Sequence, residues 1–214
     1  IFASELKEML AHPDVETRLS LHALRQYLAF DYIPAPFSIY EGIYKLPAAH
    51  HLTLERGEIK IEQYWDLNYK KRLPYPTIEA AAEELSSLIA DSTKMRMIAD
   101  VPLGVLLSGG IDSSCIAAFA QRFSKKPVKT FCIGFEESSF DESDRARQVA
   151  KHLGTEHHED RLSVQRAADL IPEIAGWLDE PMADSSILPT FLLSRFVRSE
   201  VTVALGGDGA DEIF

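Results

Sequence analysis

The chain has 214 residues, 46% of them hydrophobic and 26% charged, with a net charge of −11 at neutral pH. That composition suits one or two globular domains and excludes a disordered or collagen-like chain, while the acidic balance argues against a non-specific grip on nucleic acid or anionic lipid. The longest apolar run, Val101–Leu107, is broken by Pro102 and Gly104 and falls far short of the ~20 residues of a membrane span.

In chain order, Ser4 is expected to cap a short helix over Glu5–Leu10. Ser20 caps a second over Leu21–Phe30, where Leu21, Leu24 and Leu28 recur at helical spacing. Pro34, Pro36 and Pro47 then punctuate β-like runs at Ser38–Ile43 and His51–Glu55, and a third, Glu58–Trp65, follows Gly57. The stretch Asp66–Thr77 carries Lys70, Lys71, Arg72, Pro74 and Pro76 and reads as a connector. The expected division is therefore residues 1–66, a linker over 67–77, and a second domain over 78–214.

Beyond Thr77 the pattern alternates. Helices are expected at Ile78–Met97, Asp112–Phe123, Ser143–Leu153, Val164–Leu178 and Leu188–Val197. Strands are expected at Val101–Leu107, Val128–Phe135, Glu156–Asp160 and Val201–Leu205. Strands alternating with helices imply a parallel, doubly wound α/β sheet covered on both faces.

The informative junction is Ser108-Gly109-Gly110-Ile111-Asp112-Ser113-Ser114, between the first of these strands and its helix. Glycines without Cβ atoms let a ligand approach the backbone, and the helix start supplies free N–H groups and a positive dipole end. Ser108, Ser113 and Ser114 add hydroxyls, so the string describes a cradle for phosphate oxygens. Asp112 would repel a phosphate unless a divalent cation bridges them, which points to a nucleotide bound with Mg²⁺. A plain helix cap is the simpler alternative for a lone Ser-Gly-Gly, since Asp and Ser are favoured there. Neither a Walker A loop nor a G-x-G-x-x-G fingerprint is present.

The string Leu106-Leu107-Ser108-Gly109-Gly110-Ile111-Asp112-Ser113-Ser114 resembles the pyrophosphate loop (PP-loop) of N-type ATP pyrophosphatases, and specifically of glutamine-hydrolysing asparagine synthetases. Five further strings extend the likeness from end to end: Phe2-Ala3-Ser4-Glu5-Leu6-Lys7, Tyr64-Trp65-Asp66, Phe140-Asp141-Glu142-Ser143, Gly154-Thr155-Glu156-His157-His158-Glu159, and Gly206-Gly207-Asp208-Gly209-Ala210-Asp211-Glu212. The resemblance implies that residues 1–66 are the β-rich C-terminal part of an N-terminal-nucleophile glutaminase domain. Residues 78–214 would be the front of a Rossmann-like ATP-dependent synthetase domain with strand order 3-2-1-4. The chain starts at Ile1 without a Met, and we expect a piece of a longer protein whose glutaminase cysteine lies outside this sequence.

By the same resemblance, Asp112 and Asp211 hold Mg²⁺, and Asp208 lies near the reacting carboxylate. Leu106, Ile133 and Gly207 line the adenosine. Ser108, Gly109, Gly110, Ser113, Ser114 and Gly206 belong to the nucleotide loops. The implied reaction is ATP-dependent amidation of aspartate through an aspartyl-adenylate, with ammonia from glutamine and release of AMP and pyrophosphate. Partners are then small molecules, without nucleic acid or membrane, and the resemblance leaves room for a homodimer. Alternatives from the same scaffold are amidation of another carboxylate, such as a sugar acid or β-lactam precursor, or a nucleotide-binding module without turnover. Typical asparagine synthetases offer an arginine near Asp179-Glu180-Pro181-Met182-Ala183-Asp184-Ser185-Ser186, where Ser185 or Ser186 stands here.

Other reactive residue types read as structural. Adjacent histidines on a strand point to opposite faces, so neither His157-His158 nor His50-His51 chelates one ion as a pair. Cys115 and Cys132 are the two thiols, each in an apolar stretch, expected to be small buried hydrophobes rather than nucleophiles. So few cysteines imply a reducing compartment, and with no secretory signal at the start a cytoplasmic protein is expected.

Overall fold

The computed structural model describes residues 1–68, 70, 75–136 and 141–210. The chain divides into two compact units, one of Ile1–Leu73 with Pro172–Ser185, the other of Pro74–Ile171 with Ser186–Phe214.

In the first unit, helix α1 covers Leu6–Leu10 and α2 covers Leu21–Phe30. Ser20 caps α2 by accepting the Ala23 N–H at 3.2 Å. Helix α1 takes Glu5 as its cap residue, without a side-chain bond, rather than Ser4. Ala23, Ile33 and Ile39 form a small core with Leu6, Tyr27, Phe37 and Tyr40 around it. The run Ser38–Ile43 makes no strand. Only isolated bridges, Leu19 with Tyr40 and Phe37 with Tyr44, form there. Ser38 Oγ donates to the Ile43 carbonyl at 2.9 Å, offering the backbone a local alternative to a ladder.

Strands β1, His50–Glu55, and β2, Glu58–Gln63, pair antiparallel. Arg56 and Gly57 both take positive φ, 51° and 86°, which is what a two-residue I′ hairpin turn demands. The register pairs Leu52 with Ile61 and Leu54 with Ile59, so these four share one face, and all four are exposed.

The segment 172–185 is tied into this unit by its acids. Asp179 accepts the Leu6 N–H at 2.6 Å and the Lys7 N–H at 3.3 Å. Glu180 accepts the Ile39 N–H at 3.3 Å and pairs with Lys45, whose ammonium also donates to the Ile33 carbonyl at 2.7 Å.

In the second unit, α3 spans Ile78–Arg96 and is capped by Thr77, which accepts the Ala80 N–H at 3.2 Å. Then follow β3 (Leu103–Leu106), α4 (Ile111–Phe123), β4 (Lys129–Phe135), α5 (Ser143–Leu153), β5 (Glu156–Leu162), α6 (Val164–Trp177), α7 (Ile187–Arg198) and β6 (Val203–Leu205). Helix α6 contains Pro172, where the chain passes from the second unit to the first.

The four strands β3–β6 are parallel in the order β5-β4-β3-β6, the 3-2-1-4 arrangement that the resemblance implies. One face packs under α4 and α5 through Val105, Leu107, Ala117, Cys132, Ala146 and Ala150. On the other face Phe131 packs against Val197 and Val201. Strand β6 is shorter than expected because the Val201 N–H is still bonded to the Val197 carbonyl, 2.9 Å away. Strand β5 runs two residues longer, pairing Leu162 with Phe135.

Candidate nucleotide site

In an open parallel sheet, ligands bind beyond the strand C-termini where strand order reverses. Here that point lies between β3 and β6, and a cavity of about 540 Å³ opens there. The turn from β3 into α4 forms its floor. Gly109 has φ +85°, and Gly110 is the N-cap residue and has no side chain to cap with, so the first-turn amides of α4 face outward.

Ser113 clamps the turn. Its Oγ accepts the Ser108 N–H at 3.2 Å, lies 3.0 Å from Ser108 Oγ and donates to the Gly110 carbonyl at 3.3 Å. Ser108 Oγ in turn accepts the Gly110 N–H at 3.3 Å. These bonds hold the loop in its open-handed shape before any ligand arrives.

The loop after β6 closes the other side. A Cβ on Gly207 would lie 2.7 Å from the Ser113 nitrogen and 2.9 Å from the Asp112 carbonyl carbon, so only glycine lets the two loops touch. Asp208 has a carboxylate oxygen 2.6 Å from where a Gly206 Cβ would stand, folded back over that glycine. Of the sequence-derived site residues, Leu106, Ser108, Gly110, Asp112, Ser113, Ile133, Gly207 and Asp208 meet on the cavity wall. Gly109, Ser114 and Gly206 stand off it, and Asp211 lies outside the described residues.

The reason for glycine at 109 differs from ligand approach. Its Cβ would strike the first turn of α5, 2.6 Å from the Ala146 nitrogen. At Gly110 a Cβ would meet only Ser108 Oγ, at 3.4 Å, so this is the glycine that leaves the cradle open. The Ser114 hydroxyl is buried without a hydrogen-bond partner.

The cavity also has an apolar wall that the sequence reading missed apart from Leu106 and Ile133. Phe131 and Phe135 join Ile133 from alternate positions of β4, and Pro189, Thr190 and Leu193 come from the first turns of α7. The period-2 spacing of Phe131, Ile133 and Phe135 and the helical spacing of Pro189 and Leu193 were the available signals. Asp112 and Asp208 are the charged side chains among the described wall residues, and no Lys, Arg or His stands among them. No group of three or more His, Cys, Asp or Glu is arranged for a metal among the described residues.

The remaining residues have structural partners. Asp141 accepts the Ser143 N–H at 3.0 Å and the Phe135 N–H at 3.3 Å. The Ser143 bond above all holds its carboxyl below the usual range. Phe140 lies outside the described residues. His157 Nδ1 is 2.9 Å from Thr130 Oγ1, and its Nε2 is 3.2 Å from Glu159. His158 stacks on Phe131 with its Nε2 3.1 Å from Glu156. The two rings thus serve opposite faces of the sheet. Burial pushes the Cys132 thiol up to about 12 and also raises Cys115, the reverse of an activated nucleophile. Asp179 and Glu180 spend their carboxylates on first-unit partners, which leaves the acids of that string engaged.

Comparison with known proteins bears on the same residues. Residues 84–214 match the family model for asparagine synthase, and residues 1–65 match that for a glutamine amidotransferase domain. The chain is 37% identical over 220 residues to a glutamine-hydrolysing asparagine synthetase of Methanocaldococcus jannaschii, covering 100% of this chain and 42% of that protein. It is 37% identical over 216 residues to asparagine synthetase 1 of Bacillus subtilis, covering 100% of this chain and 33% of that one. The chain thus spans between a third and about two fifths of the length of these relatives. Among solved structures, an ammonia-dependent NAD synthetase from Campylobacter jejuni aligns with a TM-score of 0.42 at 16% identity, over 61% of this chain and 58% of that one.

Proposed function

The chain belongs to the asparagine synthase family, and from that premise we propose that it is the nucleotide-binding part of a glutamine-hydrolysing asparagine synthetase acting on aspartate. The observation that carries the reading is the contact at Gly207, which sets the loop after β6 against the first turn of α4 and brings Asp112 and Asp208 into one cavity. In this reading the adenosine lies against Leu106, Ile133 and Gly207, and the pyrophosphate lies on the Ser108–Gly110 backbone and the α4 N-terminus, with Gly109, Ser113, Ser114 and Gly206 shaping the loops around it.

The donor set suits Mg²⁺. Asp112 offers a hard oxygen beside amides that invite phosphate, a pairing that is repulsive without a cation. Asp112 and Asp211 are its proposed ligands, and Mg²⁺ when bound neutralises charge on the leaving pyrophosphate. The loop's own part is positioning and electrostatic stabilisation of the developing charge. Asp208 orients the acceptor as the side-chain carboxylate of aspartate attacks the α-phosphorus, giving an acyl-adenylate. Ammonia from glutamine then displaces AMP.

Residues 1–66 are in this reading the end of the glutaminase domain, 67–77 a linker and 78–214 the front of the synthetase domain. Two free cysteines suit a reducing, cytoplasmic setting, and no described helix is long and apolar enough to cross a membrane.

Calorimetric titration of ATP with and without Mg²⁺, against the wild-type chain and Gly110→Val, tests the reading. Metal-dependent binding that the valine abolishes is expected. Equal affinity in both proteins would move the nucleotide elsewhere. In the full-length enzyme, pyrophosphate release should require aspartate.

A further inference from the structure

The cavity that receives an anion is walled by acids. Asp112 and Asp208 are the charged side chains on its described wall, so a polyphosphate entering here meets negative charge with no basic side chain beside it. One residue that carries a cation nonetheless packs its backbone and Cβ against the cradle from outside. A Cβ on Gly109 would stand 2.7 Å from Arg145 Cβ and 2.8 Å from the Arg145 carbonyl carbon, which puts the first turn of α5 in contact with the glycine turn.

The direction of the Arg145 side chain follows from helix geometry. In a helix each Cα–Cβ bond tilts toward the N-terminus, and α5 begins at the same rim of the parallel sheet from which the glycine turn leaves β3. The guanidinium agrees with that lean. Its Nη1 lies 3.8 Å from Glu142 Oε1, back at the helix start, and both side chains are more than half exposed. Such a solvent-screened contact is readily exchanged for a better one.

We propose that Arg145 is a phosphate-binding residue: on arrival of a nucleoside triphosphate its guanidinium leaves Glu142 and donates paired N–H bonds to the terminal phosphates held by the glycine turn. It keeps that grip on the pyrophosphate once the bond to the α-phosphorus has broken. Arginine suits the task because its planar fork matches phosphate oxygens two at a time and stays charged. The inference rests on the nucleotide reading of this cavity and names the cation that the wall itself lacks.

The test compares binding of Mg²⁺-ATP, Mg²⁺-pyrophosphate and AMP by calorimetry to the wild-type chain, Arg145→Gln, Arg145→Lys and Arg122→Gln. Arg122 sits in the last turn of α4 and controls for loss of one positive charge anywhere. For Arg145→Gln, about tenfold weaker binding of ATP and of pyrophosphate is expected, with AMP unchanged and a shallower salt dependence for ATP. Arg145→Lys should fall between, and Arg122→Gln should match the wild type. Circular dichroism melts check that each variant folds. ATP and pyrophosphate affinities within twofold of wild type in Arg145→Gln would overturn the assignment while leaving the nucleotide site standing. A wild-type chain that binds neither would overturn both.

Discussion

A methyl group at Gly109 would collide with the backbone of α5, whereas at Gly110 it would meet only Ser108 Oγ. Substitution should therefore separate folding from binding at adjacent positions. Gly109→Ala must also hold φ +85°, and we expect it to lower the stability of the second unit by about 2–4 kcal/mol in guanidinium denaturation. Gly110→Ala should stay within about 0.5 kcal/mol of wild type, its effect confined to nucleotide affinity. A second residue gives a pH signature. Burial foremost, then the nearby Glu159 carboxylate, raises Cys132 from 9.0 to about 12. Between those values the unfolded chain has lost the thiol proton that the folded chain retains, so stability falls as pH rises, by at most about 1.4 kcal/mol per pH unit. Below pH 9 the contribution is fully present. Denaturation midpoints from pH 8 to 11 should show a steeper fall for wild type than for Cys132→Ala. At this scale the residue types in the turn from β3 into α4 were legible, but their division of roles was not. Ser113 and Ser114 are the same letter twice; one clamps the turn and the other is occluded, because the helix sends successive side chains 100° apart.

Elements whose signals are local were readable. Thr77 and Ser20 cap the helices expected of them, and Gly57 turns the hairpin where the β-like runs were broken. Elements decided by distant partners were not. The run Ser38–Ile43 has strand composition, yet among the described residues only isolated bridges reach it, and a serine hydroxyl takes the backbone bond instead. The segment after α6 is the clearest case. Asp179-Glu180 reads as a loop after a helix where a carboxylic substrate is held, but its carboxylates accept backbone N–H groups more than a hundred residues away. That placement predicts a local effect. Asp179→Ala removes the acceptor for the Leu6 N–H and should speed exchange of that amide about tenfold, ~1.4 kcal/mol of local opening, while amides inside α2 stay protected. Hydrogen-exchange NMR at neutral pH reads both. Equal acceleration throughout the unit would mean that the contact holds the whole core rather than the α1 start.

For the whole molecule, the two units carry different reporters. Both tryptophans, Trp65 and Trp177, belong to the first unit, whereas the proposed nucleotide cavity is built from the second. A ligand that binds only the folded state raises the stability of what it binds, about 2.7 kcal/mol at a hundredfold excess over Kd. Saturating Mg²⁺-ATP should therefore shift the main far-ultraviolet dichroism transition upward and leave the tryptophan emission transition where it was. Coincident shifts by both probes would show the units melting as one cooperative body. The α/β alternation made the sheet of the second unit legible, order included once the family was recognised. The first unit was harder to read because its stabilising contacts come partly from residues 172–185.

That excursion of the chain matters to anyone who would cut the gene. A break placed in the proline-bearing connector follows the line of composition, yet it separates Lys45 from Glu180 and the start of α1 from Asp179. The upstream piece would be left with an ammonium that has lost its carboxylate and several peptide N–H groups stripped of their acceptors, and the downstream piece with two carboxylates parted from these donors. The modules that the sequence suggests are thus not interchangeable cassettes: recombination between homologues at the connector would swap one side of each of these contacts without the other, so the 172–185 stretch has to travel with the N-terminal module it stitches.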